Sequence, residues 1–467
     1  MLLVLALCYL IVHLLPLAAV RLLRRDRGRD LFAPLGVATA IHLLTMPYLL
    51  LLAADRSYLS YNTAISPWVE DLEGTMARYV LVVSLGFLAF AGGLLSPLGP
   101  ALARPIPALR IERFTPGRTW TAILVTGGLG VGAYMFFLTR IGGLANLWKV
   151  LYNRTLITAG TGYISTVYTL LLTFAALLLT YSLRFRTTRL RRGLAVLGII
   201  LVAAVLASTG GRSGAITLII FAMMVVHYGI RPFRRVLTPW TVALGAVLFV
   251  FIAVMPLFRS YTAFARYSAH PGLVVQDALK NVARVAPQLS TADRGLVVVG
   301  YFSSPDRLWW GASYLDLLTA PLPRTLVPDK PPVDEGVYLS AIMAGNQVRP
   351  SMPARQLPVT AQPTGNWIMY MNFWLPGYVL GMLLVGAVAG AAYRYVRRCH
   401  GSPFAVYLYG VVAMGGFSWS NYNLVTLGMT VVISTIVFWL LFADKGFGRW
   451  LRREPAPAGV PLEPRPA

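Results

Sequence analysis

Apolar residues come in long unbroken runs along this chain rather than in alternation. Runs of about 20 residues recur, the length at which an α-helix crosses a hydrocarbon core of roughly 30 Å. They fall at 1–20, 31–53, 77–97, 119–138, 163–183, 193–209, 214–230, 239–257, 366–392, 403–422 and 424–443. The pattern predicts an all-α polytopic membrane protein with about eleven transmembrane helices. Helices 1–8 occupy residues 1–257 and helices 9–11 residues 366–443. The first run has no basic residue before it and no Ala-x-Ala site, and Arg21, Arg24, Arg25, Arg27 and Arg29 follow it. It therefore reads as a span, not as a signal peptide.

One segment breaks the pattern. Residues 258–365 hold 108 positions without a membrane-spanning run, with ten Lys/Arg and seven Asp/Glu. Short turns are enough to connect helices, so a loop this long points to function. It is expected to be extracytoplasmic and to contain short helices. Trp309-Trp310, with Leu308, Leu315, Leu317 and Leu318, predicts a segment lying on the membrane surface. Pro321, Pro323, Pro328, Pro331 and Pro332 then predict a stiff, extended path. Residues 444–467, rich in Pro and Ala, read as a disordered cytoplasmic tail.

Charge fixes the orientation. The formal net charge is +24, which on a soluble chain would point to nucleic acid. Its distribution argues against that partner. Segments 21–30, 98–118, 184–192, 231–238, 393–402 and the tail from 443 hold 25 Lys/Arg against six acids. The other 16 basic residues stand against 11 acids. Basic short loops stay in the cytoplasm, so the N-terminus is expected outside and the C-terminus inside. The two cysteines, Cys8 and Cys399, lie in different elements and are not expected to pair. The five histidines are scattered, so no metal and no cofactor is expected.

The outer loops carry the candidate chemistry. Arg212, in Gly210-Gly211-Arg212-Ser213-Gly214, sits between two apolar runs. Below the headgroups an Arg costs from about 3 to above 10 kcal/mol, so it needs an anion or a water-filled cavity. Otherwise it snorkels from a hairpin tip to lipid phosphates. Arg259 and Arg266 are seven apart, with Tyr261 and Tyr267 beside them, and share a face if the helix continues. Guanidinium forks match phosphate oxygens, although such a face also serves as an interfacial belt. Arg140, Lys149 and Arg154 lie in a second outer loop, where orientation does not require positive charge. In the long loop Lys330 stands beside Asp334 and Glu335. A general base must be a carboxylate or a histidine, and the candidates are Asp334, Glu335, Asp293, His270, Glu70, Asp71 and Glu73. Each of these also reads as a solvated loop charge. Gly128…Gly132, Gly377…Gly381 and Gly386…Gly390 predict close helix packing.

Three stretches resemble a known family. Thr209-Gly210-Gly211-Arg212-Ser213-Gly214, with the following run ending His227-Tyr228, resembles the Gly-Ser-Arg-Gly hairpin of bacterial Wzy-type O-antigen (oligosaccharide repeat-unit) polymerases. Pro323-Arg324 through Pro328-Asp329-Lys330-Pro331 resembles the Pro-Arg…Pro-x-Lys-Pro stretch of that family's large outer loop. Met369-Tyr370-Met371-Asn372-Phe373 with Pro376-Gly377 resembles its re-entry segment, with Trp374 where a glycine is usual. The similarity covers roughly residues 120–395.

The resemblance implies a metal-independent membrane glycosyltransferase of the bacterial cytoplasmic membrane, with its active site facing outside. Its substrates would be polyprenyl-diphosphate-linked oligosaccharides, joined into a surface polysaccharide. Flippase and chain-length regulator proteins are the partners such an enzyme implies, together with membrane lipid. Arg212, Arg259 and Arg266, then Arg154, would bind the diphosphate, and a loop carboxylate or His270 would deprotonate the acceptor. Two alternatives remain open at this point. One is an O-antigen-ligase-like or polyprenyl-sugar-dependent transferase, which Glu70-Asp71-x-Glu73 would suit. The other is a flippase or transporter of lipid-linked sugars, although ionisable groups here gather outside the spans.

Overall fold

The computed structural model describes residues 1–23, 30–55, 68–106, 114–149, 161–185, 188–208, 212–233, 290, 292–322, 326–358, 360–414 and 417–442. Between 239 and 277 it describes 239, 243, 245–246, 250, 254, 257, 266–267, 269–270 and 272–277. Among the described residues all regular structure is helical. The membrane helices are α1 (Leu2–Leu23), α2 (Pro34–Leu43), α3 (Met46–Ala54), α4 (Leu72–Leu95), α6 (Pro116–Arg140), α8 (Gly162–Ser182), α9 (Arg189–Ser208), α10 (Arg212–Val225), α14 (Trp367–Arg398), α15 (Pro403–Met414) and α16 (Asn421–Phe442). Shorter helices are α5 (Leu98–Ala103), α7 (Gly143–Lys149), α11 (Ala292–Tyr301), α12 (Ala312–Thr319) and α13 (Gly336–Met343).

Nine stretches of the described residues are long and apolar enough to cross a membrane, which makes this a polytopic membrane protein. Two of the predicted spans differ in form. The run at 31–53 is two helices, α2 and α3, parted by a turn at Leu44–Thr45. Pro47 supplies the reason, since it has no N–H for the Leu43 carbonyl. The run at 403–422 is the shorter helix α15, and the next helix begins only at Asn421. Most of the run at 239–257, and the whole tail from 443, lie outside the described residues.

Helices α4 and α14 form one of the two most extensive helix pairs. Side-chain-free positions let their backbones touch: a Cβ on Gly93 would strike Leu383 of α14, and one on Gly386 would strike Phe90 of α4. The packing expected of Gly386…Gly390 is therefore present, whereas Gly377 and Gly381 press on Phe373 and Met369 of α14 itself. Gly128 and Gly132 face open space, and it is Gly130 that presses on Leu172 of α8.

The two faces of the bundle carry different polar chemistry. On one, Asp30 gathers His227, Tyr228, Tyr393 and Arg397. Its carboxylate lies 3.3 Å from His227 Nε2 and 3.6 Å from the Arg397 guanidinium. The Tyr393 and Tyr228 hydroxyls donate to it at 2.6 and 3.0 Å. Burial pushes the Asp30 carboxyl up, but hydrogen bonds from His227 and Tyr393 outweigh it and hold it below the usual carboxylate range.

The opposite face carries the long loop, whose described residues from 292 onward form a packed body. Helix α11 is buried along most of its length against α4 and α14, with Leu296, Val297, Val298 and Val299 fully enclosed. Trp309 stacks edge-on between Phe302 at 5.4 Å and Tyr338 at 5.8 Å. Trp68, just before α4, donates from Nε1 to the Ile342 carbonyl at 2.6 Å. The expectation of a Trp309-Trp310 pair lying together on a membrane surface is thus half corrected. Leu308 and Trp309 turn into the loop core, while Trp310 faces outward.

Candidate functional site

A break in α14 organises the junction between loop and bundle. Pro376 has no N–H, so the Asn372 carbonyl loses its helical donor. The backbone leaves helical geometry at Phe373 (φ −134°, ψ 16°) and Trp374 (φ 57°, ψ −154°). Trp374 thus occupies a region that glycine favours, at a cost of about 1–3 kcal/mol. The two carbonyls at the break are taken by the loop. Trp309 N–H donates to Met371 and Trp310 N–H to Asn372, each at 3.0 Å.

The buried Asn372 side chain completes this join. Its Oδ1 accepts from Gly311 N–H at 2.9 Å, and its Nδ2 donates to Ser313 Oγ at 2.7 Å and to the Ile368 carbonyl at 2.8 Å. Asn421, first residue of α16, reaches the same point from the other side: its Nδ2 donates to the Ser313 carbonyl at 2.6 Å. Ser313 is thereby fixed between α14 and α16.

Glu335 is the second tie. Its carboxylate accepts from Asn421 N–H at 3.2 and 3.1 Å and from the Thr364 hydroxyl at 2.8 Å. A negative group at a helix N-terminus meets unsatisfied N–H groups and the positive end of the dipole. Burial pushes the Glu335 carboxyl up to about 7, with Asp334 adding to the rise against the hydrogen bonds it accepts. Burial also raises Asp334, which is half-buried and accepts from Gly336 N–H at 2.9 Å.

Beside this junction a cavity of about 240 Å³ runs between α8, α10, α14, α15 and α16. Phe221, Val385 and Leu427 are among its apolar lining, and Thr173, Ser213 and Asn423 among its polar lining. Ser213 to Phe221 is eight residues of helix, or about 12 Å of depth. The cavity is mostly apolar, with hydroxyls from Thr169, Thr173 and Thr217 along its length.

The remaining candidate residues fall in several places. Arg212 opens α10, next to cavity residues Ser213 and Gly214, and its side chain lies outside the described set. Arg259, Tyr261 and Arg154 also lie outside the described residues. Arg266 is exposed, 3.8 Å from Asp277 and stacked over Tyr267. Arg140 is exposed over the Phe136 ring. His270 borders a hollow walled by Ala269, Gly272, Leu273 and Gln276, all from its own stretch of chain.

Four candidate charges have partners within the protein. Lys330 is buried and its Nζ donates to the Ala320 and Leu322 carbonyls at 2.7 and 2.8 Å. Glu335 is not a solvated loop charge but a buried anchor, because the start of α16 supplies its donors. Asp71 serves as the N-cap of α4, accepting from Gly74 N–H at 3.1 Å, and Asp293 is buried against the Arg294 guanidinium at 2.9 Å.

Sequence reasoning did not single out Thr364, Ser313, Asp316 or Asn421. An asparagine at the mouth of an apolar run was the one available signal, since a polar amide there needs partners. No family model, curated protein or solved structure matches this chain.

Proposed function

We propose that this chain is a membrane glycosyltransferase that polymerises polyprenyl-diphosphate-linked oligosaccharide repeat units. The observation that carries the reading is a mostly apolar cavity within the bundle, with Ser213 in its lining directly after Arg212, where α10 begins. An apolar slot beside an arginine suits an amphiphile with an isoprenoid stretch and an anionic head. The loop packed above it, with its carboxylates, suits a sugar acceptor. Basic segments around Arg231 and Arg397 share the Asp30 face, which supports reading that face as cytoplasmic and the loop face as external. With the run at 239–257 counted, the protein then has eleven spans in the bacterial cytoplasmic membrane, N-terminus out and C-terminus in.

In the reaction, an acceptor hydroxyl oxygen bonds to the anomeric carbon of the donor glycan. The bond from that carbon to the diphosphate oxygen breaks, and polyprenyl diphosphate leaves with the electron pair. Arg212, helped by Arg259, Arg266 and Arg154, stabilises the developing charge. One guanidinium at about 4 Å and an effective dielectric near 20 contributes about 4 kcal/mol before desolvation. The acceptor proton passes to a loop carboxylate, a role we assign to Asp334, since Glu335 is held by Thr364 and Asn421 as a positioning residue.

Deletion of the gene followed by analysis of lipid-linked glycans tests this. Single repeat units on the outer leaflet are the expected product. Units trapped on the cytoplasmic leaflet would make the protein a flippase, and finished polymer left unattached to its acceptor would make it a ligase.

A further inference from the structure

Helix α12 is built inside out. Its buried positions are Ser313, Asp316 and Ala320 just past its end, three and four residues apart, and its outward positions include Leu315 and Leu318. Leu315 is 62% exposed and Leu318 74%, while Asp316 is only 2% exposed. In water that arrangement costs on both faces, since leucines meet solvent and a carboxylate is enclosed.

The polar groups on the inner side are nonetheless provided for. Asp316 accepts from Ser351 Oγ at 2.8 Å, from Ser351 N–H at 3.3 Å and from the Tyr338 hydroxyl at 3.3 Å. At the C-terminal end, Lys330 Nζ and the Tyr163 hydroxyl both donate to the Ala320 carbonyl, at 2.7 and 2.9 Å. Lys330 also serves the Leu322 carbonyl. A helix end supplied in this way can leave water, because hydrocarbon tolerates helix ends only when such carbonyls find donors within the protein.

Depth is set by the join to the bundle. Trp310 pairs with Asn372, five residues into α14, about 7–8 Å along that helix from Trp367. Ser313 meets Asn421 at the first residue of α16. Leu322, Leu326 and Trp310, all exposed, extend the apolar patch along the chain, and exposed Phe373 and Trp374 join it to the lipid-facing side of α14.

From this placement we infer that residues 310–322 form a wedge seated in the loop-side leaflet of the bilayer, with lipid acyl chains as the partner of Leu315 and Leu318. Trp310 stands at the headgroup boundary, where indole is favoured. The inference rests on the membrane-spanning helices alone and holds whatever reaction the protein performs.

The test uses the full chain with Cys8→Ser and Cys399→Ala, carrying Leu315→Cys, Leu318→Cys or Asn346→Cys and a nitroxide label. It is reconstituted in phosphatidylethanolamine/phosphatidylglycerol vesicles. Labels at 315 and 318 are expected to be accessible to oxygen and shielded from a water-soluble nickel complex, at about 5–10 Å below the phosphates. The label at exposed position 346 is expected to be open to nickel. Equal nickel access at all three positions would overturn the proposal. So would shielding that appears only in native membranes, which would indicate a protein partner. As a second measurement, the Leu315→Asp/Leu318→Asp double variant is expected to melt at a lower temperature in vesicles. An unchanged or higher melting temperature would mean that this face meets water.

Discussion

Asn421 N–H donates to both carboxylate oxygens of Glu335, at 3.2 and 3.1 Å, across 86 residues of chain. The contact fastens the long loop to the first turn of the last described helix. It also places a carboxyl raised to about 7 at a helix N-terminus.

The first prediction follows from that carboxyl. Its folded value lies above its ordinary 4.5, so the folded state holds the proton more tightly. The associated stability is fully present below about 4.5 and is lost as pH rises through about 7. Wild-type melting temperature should fall between pH 5 and 8, and Glu335→Gln should flatten that slope. Glu335→Ala should cost about 1–3 kcal/mol by leaving Asn421 N–H and the Thr364 hydroxyl without an acceptor. Melting curves in detergent across pH check both.

A second prediction concerns the break in α14. Trp374→Gly and Trp374→Ala lose the same indole, but only glycine relieves the positive φ. The glycine variant should be the more stable of the two by about 1 kcal/mol or more. Equal melting temperatures would show that the backbone there carries no strain.

Asn372→Ala should be among the most damaging single changes in the loop junction. It removes the acceptor of Gly311 N–H and the donor to Ser313 at a fully buried position. A loss of about 1–3 kcal/mol is expected, as for a buried group left without its hydrogen-bond partner. Limited proteolysis between 301 and 322 should speed up accordingly.

On the opposite face, Asp30 is held below the ordinary carboxylate range, where hydrogen bonds outweigh burial. Its contribution is present above about 3.8 and is lost as pH falls through the depressed value. Asp30→Asn should therefore lower stability at neutral pH and reduce the loss seen on acidification.

The proposed chemistry gives a fifth. Arg212→Ala, inserted normally, should lower polymer formation by about 10²–10³-fold, the usual effect of removing one charge-stabilising donor. Arg212→Lys should recover only part, since an ammonium lacks the guanidinium fork. Full-length polymer from Arg212→Ala would overturn the assignment.

Both backbone breaks have their cause in the sequence, Pro376 in α14 and Pro47 between α2 and α3, although each stretch reads as one continuous apolar run. The roles of individual loop charges are not legible. Lys330, Asp334 and Glu335 stand within six residues and read alike, yet Lys330 binds carbonyls, Glu335 holds a helix start and Asp334 is half-buried. Trp309 and Trp310 are neighbours with opposite fates. Local spacing cannot separate them, because the groups that decide come from distant segments.

By itself the sequence determined that the chain is helical and crosses a membrane many times. Hydrocarbon offers no partners to the backbone, so a long apolar run has to satisfy its own N–H and C=O groups as a helix. It also marked the long polar loop and concentrated basic residues in the short segments. Only the tertiary structure decided which polar groups are buried and what they hold. Tyr393 meets Asp30 across 363 residues, and Asn421 meets Ser313 across 108. Such pairs satisfy donors and acceptors that no local pattern encodes, and they appear only once the helices are packed.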